Sequence, residues 1–341
     1  MHLPMNSTAD LALATRGLRK SYGKRLALDG LDLSVPTGVV YGFLGPNGAG
    51  KTTTMRLLTG LLHPDSGSIE LLGSAFKRGD RKRLFDVGAL VESPSFYPYL
   101  SGRVNLQMLA ANGAPVPKGR VDELLDLVGL GDRQKDKVSG YSLGMKQRLG
   151  IAGALLSDPK LLLLDEPANG LDPAGIVAMR ETLRRLAAAG KTVFVSSHLL
   201  GEVRVLADVV GIITAGKLVR EGTLDFLLRD QGLVRARVPR AQVGEARVLL
   251  ERVARTDGDT STEGDPWLAV HVEPNRAGEI NRVLAEAGIF ASGLESGTDL
   301  EMLFLELTGG GEPSKEGSFR SIATPGGPGS GAGASGGGPV A

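Results

Sequence analysis

The chain has 341 residues, with 39 Lys and Arg against 38 Asp and Glu, a net charge of +1, and 42% hydrophobic residues. That length suits a principal domain of about 200 residues or more with an appendage. The balanced charge excludes a nucleic-acid binder working by bulk positive charge, and leaves only a local basic patch open. The absence of cysteine excludes disulfide scaffolds, zinc fingers, iron–sulfur clusters and thiol nucleophiles together, and fits a reducing compartment.

Taken in chain order, Met1–Asp10 has neither a basic region nor an apolar stretch of signal-peptide length. No later run approaches the roughly 18 apolar residues of a spanning helix, so the chain is expected neither to be exported nor to cross a membrane by itself. Leu11–Arg19 and Leu26–Val35 are short and partly alternating, and predict an antiparallel flank added to the main sheet. Val39–Leu44, Leu161–Leu164 and Thr192–Ser196 are apolar runs without polar alternation, as in parallel strands buried on both faces. Helical patterns lie between them: Thr52–Leu62 follows a glycine-rich turn and stops at His63–Pro64, and Ala174–Ala189 runs from Asp172–Pro173 to Gly190. Strand, crossover helix and strand in this order predict an α/β layer.

From about Leu233 the pattern restarts. Strands are expected at Leu233–Val238, Trp267–Val272 and Ile289–Leu294, and helices at Arg240–Ala254, Arg276–Ala287 and Leu300–Leu307, with Asp257–Pro266 a polar loop. A split βαβ arrangement of ferredoxin-like type accommodates this small α+β domain. The expected division is therefore 8–228, 233–308, and a disordered Gly/Ser/Pro-rich tail over 309–341, which takes 12 of the 49 glycines.

Two short segments carry chemistry. Gly45-Pro46-Asn47-Gly48-Ala49-Gly50-Lys51-Thr52 has two glycines bracketing four residues, then Lys and a hydroxyl, placed between a strand and a helix. There the glycines let backbone N–H groups face an anion and the helix N-terminus adds partial positive charge. Lys51 would pair with the β- and γ-phosphates, and Thr52 would ligate Mg²⁺. Leu161-Leu162-Leu163-Leu164-Asp165-Glu166 sets two carboxylates at the end of a buried strand, where open α/β sheets bind ligands. Asp165 would hold the cation through water and Glu166 would deprotonate the attacking water.

Tyr141-Ser142-Leu143-Gly144-Met145-Lys146-Gln147-Arg148 lies between them, and with it residues 11 to 228 resemble the ATP-binding subunits of ABC transporters in both motif order and content. The resemblance implies a P-loop ABC-type ATPase domain with a parallel core, an antiparallel flank and a helical subdomain. It implies ATP and Mg²⁺ as cofactors, with residues Gly45 to Thr53, Thr53 included, around the phosphates. Ser142-Leu143-Gly144-Met145-Lys146 stands where the family usually has Leu-Ser-Gly-Gly-Gln. Ser142 and Gly144 are retained, and Met145 and Lys146 depart. Tyr22 sits where an aromatic ring stacks on adenine. Asp172 matches the loop that touches a partner subunit and is equally a helix N-cap. His198, one of 4 His, matches the switch histidine at the γ-phosphate.

Glu92 stands where most members carry Gln beside the cation. A carboxylate accepts from metal-bound water and cannot donate as an amide does. That substitution, with Ser93-Pro94-Ser95-Phe96-Tyr97-Pro98, resembles the bacitracin- and lantibiotic-type exporter ATPases. The resemblance implies a homodimer or paired subunits sandwiching two ATP, a separate transmembrane permease, and a place at the cytoplasmic face of the membrane, with no nucleic-acid partner. Phe96–Leu100 is either a dock for a short helix of the permease or a small satellite core. The alternative is a soluble ABC-type ATPase acting on ribosomes or DNA. Against it stand the one domain, the lack of sustained heptads and the lack of cysteine.

Overall fold

A computed structural model describes residues 10–77, 79–80, 82–92, 94–113, 115–229, 232–258 and 265–298. The expected helix Leu300–Leu307 and the expected tail over 309–341 lie outside the described residues.

The central sheet has six strands in the order Lys217–Thr223, Val209–Thr214, Val40–Leu44, Thr192–Ser197, Leu161–Asp165, Val87–Leu90. All neighbours are parallel except Lys217–Thr223 with Val209–Thr214. Apart from the edge strand Lys217–Thr223, its strands are largely apolar on both faces, and alternate residues serve different cores. Tyr41, Phe43, Leu161, Leu163 and Phe194 enter one cluster, while Val40, Leu162, Leu164, Val193 and Val195 enter the other. Two covered faces need no polar alternation, which is why these runs read as continuous apolar segments.

Leu11–Tyr22, Arg25–Pro36, Ser66–Leu71 and Ser74–Ala75 form a second, antiparallel sheet. The flank was expected to extend the parallel sheet. Instead it stacks on it: Leu13, Leu18, Leu28, Leu31 and Leu33 share the first core with Tyr41, Phe43 and Phe194. The other core is roofed by three helices, Gly102–Asn112, Arg120–Leu127 and Leu143–Ala154, through Leu106, Leu124, Leu125, Leu149 and Ile151, and by Pro173–Ala188 through Met179 and Leu183.

The C-terminal segment builds its own core from Val234, Ala236, Leu250, Leu268, Val270, Ile280 and Leu284. Its antiparallel sheet runs Thr256–Gly258, Trp267–Val270, Gly232–Arg237, Gly293–Thr298, with helices Val243–Glu251 and Ala277–Glu286 as the crossovers, which is the split βαβ order. Two expectations shift here. Thr256–Gly258, placed mostly in a polar loop, is the fourth strand. The last strand begins at Gly293 and not at Ile289, because Ile289 closes the preceding helix: its N–H donates to the Leu284 carbonyl at 2.9 Å and its side chain is buried. The helix expected over Thr52–Leu62 runs Lys51–Leu58.

Candidate functional site

Register aligns the carboxyl ends of three strands. Leu44 pairs with Ser197 and Asp165 with Ser196, so the loop after Val40–Leu44, the carboxylates after Leu161–Leu164 and His198 emerge side by side. The Gly45 N–H donates to the Ser197 carbonyl at 3.2 Å and ties the first of these to the third. Glycine is required where the loop turns into its helix. Gly50 has φ +112°, and a β-carbon there would lie 2.8 Å from the Ala27 carbonyl oxygen. At Gly45 a β-carbon would lie 2.7 Å from Ile213 Cγ2.

Lys51 opens the helix with its side chain only 5% exposed. Its ammonium has three donors and meets three acceptors: the Gly45 carbonyl at 2.7 Å, the Pro46 carbonyl at 3.2 Å and Glu166 Oε1 at 3.3 Å. The other oxygen of Glu166 lies 2.7 Å from His198 Nδ1 and accepts from Asn169 Nδ2 at 2.7 Å. Burial alone would raise the Glu166 pKa. The charges of Lys51 and His198, with the hydrogen bonds from His198 and Asn169, outweigh it and hold the carboxyl below its ordinary value. Glu166 also occupies the left-handed region, φ +47°, a costly place for a residue with a side chain. Its N–H is pinned there by Ser196, with the hydroxyl at 3.0 Å and the carbonyl at 3.2 Å. The same Ser196 hydroxyl donates to the buried Asp165 carboxylate at 2.5 Å. Ser196 thus indexes the two acids against each other.

Thr52 and Thr53 follow Lys51 in the first turn, half-buried. Thr52 and Asp165 offer the hard oxygen donors that Mg²⁺ accepts alongside substrate phosphates and water. Among the described residues no group of three or more His, Cys, Asp or Glu is placed to hold a metal ion.

Tyr22 and Glu92 meet on one residue that the sequence reading passed over. Arg56, a turn beyond Thr52, forms an ion pair with Glu92 and lies within electrostatic reach of Tyr22. The structure thus engages Glu92 with a guanidinium, on a residue with φ +65°. Ser142, Gly144 and Asp172 form a separate patch. Ser142 caps the helix Leu143–Ala154 by accepting the Met145 N–H at 3.2 Å, and Asp172 caps Pro173–Ala188 by accepting the Gly175 N–H at 3.1 Å. The two caps are neighbours: Leu143 lies over Gly170, which has φ +75° and no room for a β-carbon beneath that side chain, and Leu171 lies over Gly144. Among the described residues no hydrogen bond or ion pair joins this patch to Lys51, Glu166 or His198.

A groove of about 380 Å³ runs beside the edge strand Val87–Leu90, lined by Phe85, Leu90, Pro94, Phe96, Leu109 and Gly150 among others. Ser196, Asn169 and Arg56 were missed because each is a single polar residue outside any spacing pattern. Only tertiary structure brings them to the site.

Comparison with known proteins bears on this arrangement. Residues 28–169 match the ABC transporter family model. The chain is 42% identical over 302 residues to the bacitracin transport ATP-binding protein BcrA of Bacillus licheniformis, covering 88% of this chain and 98% of that protein. It is 37% identical to the daunorubicin resistance ATP-binding protein DrrA3 of Streptomyces coeruleorubidus, covering 90% and 99%. The lantibiotic transport ATP-binding protein SrtF of Streptococcus pyogenes is 45% identical, covering 62% and 91%. Among solved structures, an ATP-binding subunit of an ABC transporter superposes with a TM-score of 0.58 at 29% identity, covering 64% of this chain and 92% of that one. The cbiO1 subunit from Clostridium perfringens gives 0.59 at 26%, covering 72% and 97%.

Proposed function

This chain belongs to the ABC transporter ATP-binding family, in which it is an ATPase, and we propose that it powers an exporter of peptides or hydrophobic drugs whose membrane-spanning part is a separate polypeptide. The observation that carries the catalytic reading is the contact of Lys51, Glu166 and His198 at the ends of adjacent strands. The export reading is supported by relatives named for bacitracin, lantibiotics and daunorubicin, two of which match this chain over almost their whole length. No helix among the described residues is long and apolar enough to cross a membrane, in keeping with a peripheral subunit at the cytoplasmic face.

The reaction follows from the donors on the page. The phosphate loop, Gly45 to Thr53, turns N–H groups and the helix dipole toward the β- and γ-phosphates of ATP, with the Tyr22 ring stacking on the base. As phosphate oxygens take over the Lys51 ammonium, Glu166 gives up that cationic partner and keeps its contacts with His198 and Asn169. The charge that held its pKa down is then shared with the phosphates, and the carboxylate becomes the stronger base. It removes a proton from the water that attacks the γ-phosphorus, while the bond from that phosphorus to the ADP oxygen breaks. Lys51 and His198 stabilise charge on the transferred group. Thr52 and Asp165, joined by Glu92 once it leaves the Arg56 guanidinium, would hold Mg²⁺, which supplies further charge neutralisation. Ser142, Gly144 and Asp172 face a second copy or paired subunit, so that two ATP molecules close the dimer. The groove beside Phe96 takes a short helix of the permease. Copurification tests the assembly: after detergent extraction of membranes the chain should elute with a polytopic protein. Recovery only in the soluble fraction, with no such protein, would overturn it.

A further inference from the structure

His198 is carried on a short connection whose far end is fastened by a residue with no part in the site so far. Ser197 ends the strand Thr192–Ser197, and Glu202 lies in the first turn of the helix Leu200–Leu206. The buried Ser197 hydroxyl accepts the Leu199 N–H at 2.9 Å and stands 3.1 Å from Glu202 Oε2, closer than its 3.3 Å to the Leu199 carbonyl. One proton on that hydroxyl is thus directed to the carboxylate. Behind it is a small pocket of about 10 Å³, lined mostly by apolar residues such as Val40, Val195 and Leu206, together with Arg180, Ser197 and Glu202. Arg180, from the helix Pro173–Ala188, lines this cavity, and its Nε is buried without a hydrogen-bond partner. Arg180 is among the charged groups that act on the Glu202 carboxylate.

The groups facing Glu202 from each side are Ser197 and His198 on its own connection, Arg180 from the neighbouring helix and Glu166 from the catalytic strand end; burial raises its pKa foremost. Pro167, which follows Glu166, and Ser197, which precedes His198, are both walls of the cavity.

We propose that Glu202 is a positioning residue for ATP hydrolysis: it fixes Ser197 Oγ and thereby the backbone that aims His198 at Glu166. The proposal rests on the reading of Glu166 and His198 as the groups acting on the nucleotide. A histidine displaced by a fraction of an ångström still leaves Lys51 and the phosphate loop able to bind, so the loss belongs to turnover and not to affinity.

The test uses the full chain with the variants S197A, E202A, E202Q and S197A/E202A, measuring kcat and KM for Mg-ATP alongside thermal melting. S197A and E202A should each lower kcat by about tenfold or more with KM within about twofold. The double variant should be no worse than either single one, since both cut the same path. E202Q, which keeps an acceptor oxygen and the volume, should stay within about threefold of the unaltered chain. Additive losses, an E202Q as impaired as E202A, or S197A at full kcat would overturn the proposal. S197A removes one oxygen and carries the test if E202A does not fold. Failure of the underlying reading looks different: there H198A would hydrolyse ATP at the full rate.

Discussion

Replacing Lys51 with Ala removes the one buried cation at the phosphate loop, and its effect can be worked through as linkage. A charge-assisted hydrogen bond contributes about 1.5–3 kcal/mol, so losing the ammonium's contacts to two phosphates weakens ATP binding at least about a hundredfold. A ligand at 100 times its Kd stabilises a protein by about 2.7 kcal/mol, and one at its Kd by about 0.4 kcal/mol. At about 2–4 °C per kcal/mol for a domain of this size, an ATP concentration that raises the melting temperature of the unaltered chain by about 5–11 °C should raise that of K51A by about 1–2 °C. The assay is a melting series against ATP, with ADP and inorganic phosphate as controls. The substitution also leaves the Gly45 and Pro46 carbonyls and Glu166 without their shared donor, so the nucleotide-free melting point is recorded separately. An ATP-induced shift as large in K51A as in the unaltered chain would refute the assignment of Lys51 to the phosphates.

Three further outcomes are expected. Glu166→Gln should bind ATP and not turn it over, accumulating an ATP-bound dimer on size-exclusion chromatography; monomer alone under saturating Mg-ATP would count against the sandwich. Gly50→Ala combines φ +112° with a β-carbon against the Ala27 carbonyl, and should lose about 2 kcal/mol or more of stability along with nucleotide affinity, read by urea unfolding; an unchanged midpoint would show that the turn is not constrained as described. The Glu166 pKa lies below its ordinary 4.5 in the folded state. Its charged form therefore stabilises the fold above that value, and the contribution is lost as pH falls through the folded-state pKa. The stability gap between the unaltered chain and E166Q should shrink on acidification through this range, and a gap that widens would contradict the sign.

Much of the site was legible because its chemistry needs unusual residues at short spacing. Glycines at 45, 48 and 50, followed by Lys51, cannot be mistaken for a helix interior, and four leucines ahead of Asp165 and Glu166 mark a buried strand. What escaped had small residues or isolated polar ones. Val87–Leu90 reads weakly because Gly88 and Ala89 dilute it, yet Gly88 is forced: a β-carbon would collide with the Ala154 carbonyl of the helix above. The stacking of the antiparallel sheet onto the parallel one was missed because alternation along a strand says which face is apolar and not what covers it. Ser142 and Asp172 could be read as caps or as contacts, and the geometry allows both, since a capping oxygen uses one lone pair and leaves another free.

The four leucines before the acids also act as a ruler. Each points opposite to the one before it, and the two sides are claimed by different clusters, Leu161 and Leu163 by one and Leu162 and Leu164 by the other. Deleting a single residue from the run would send every later side chain to the wrong cluster and turn Asp165 through half a revolution, away from Ser196. The chemically blandest stretch of the chain thus measures out where its most reactive groups stand. It should tolerate exchange of one aliphatic residue for another far better than any change in its length.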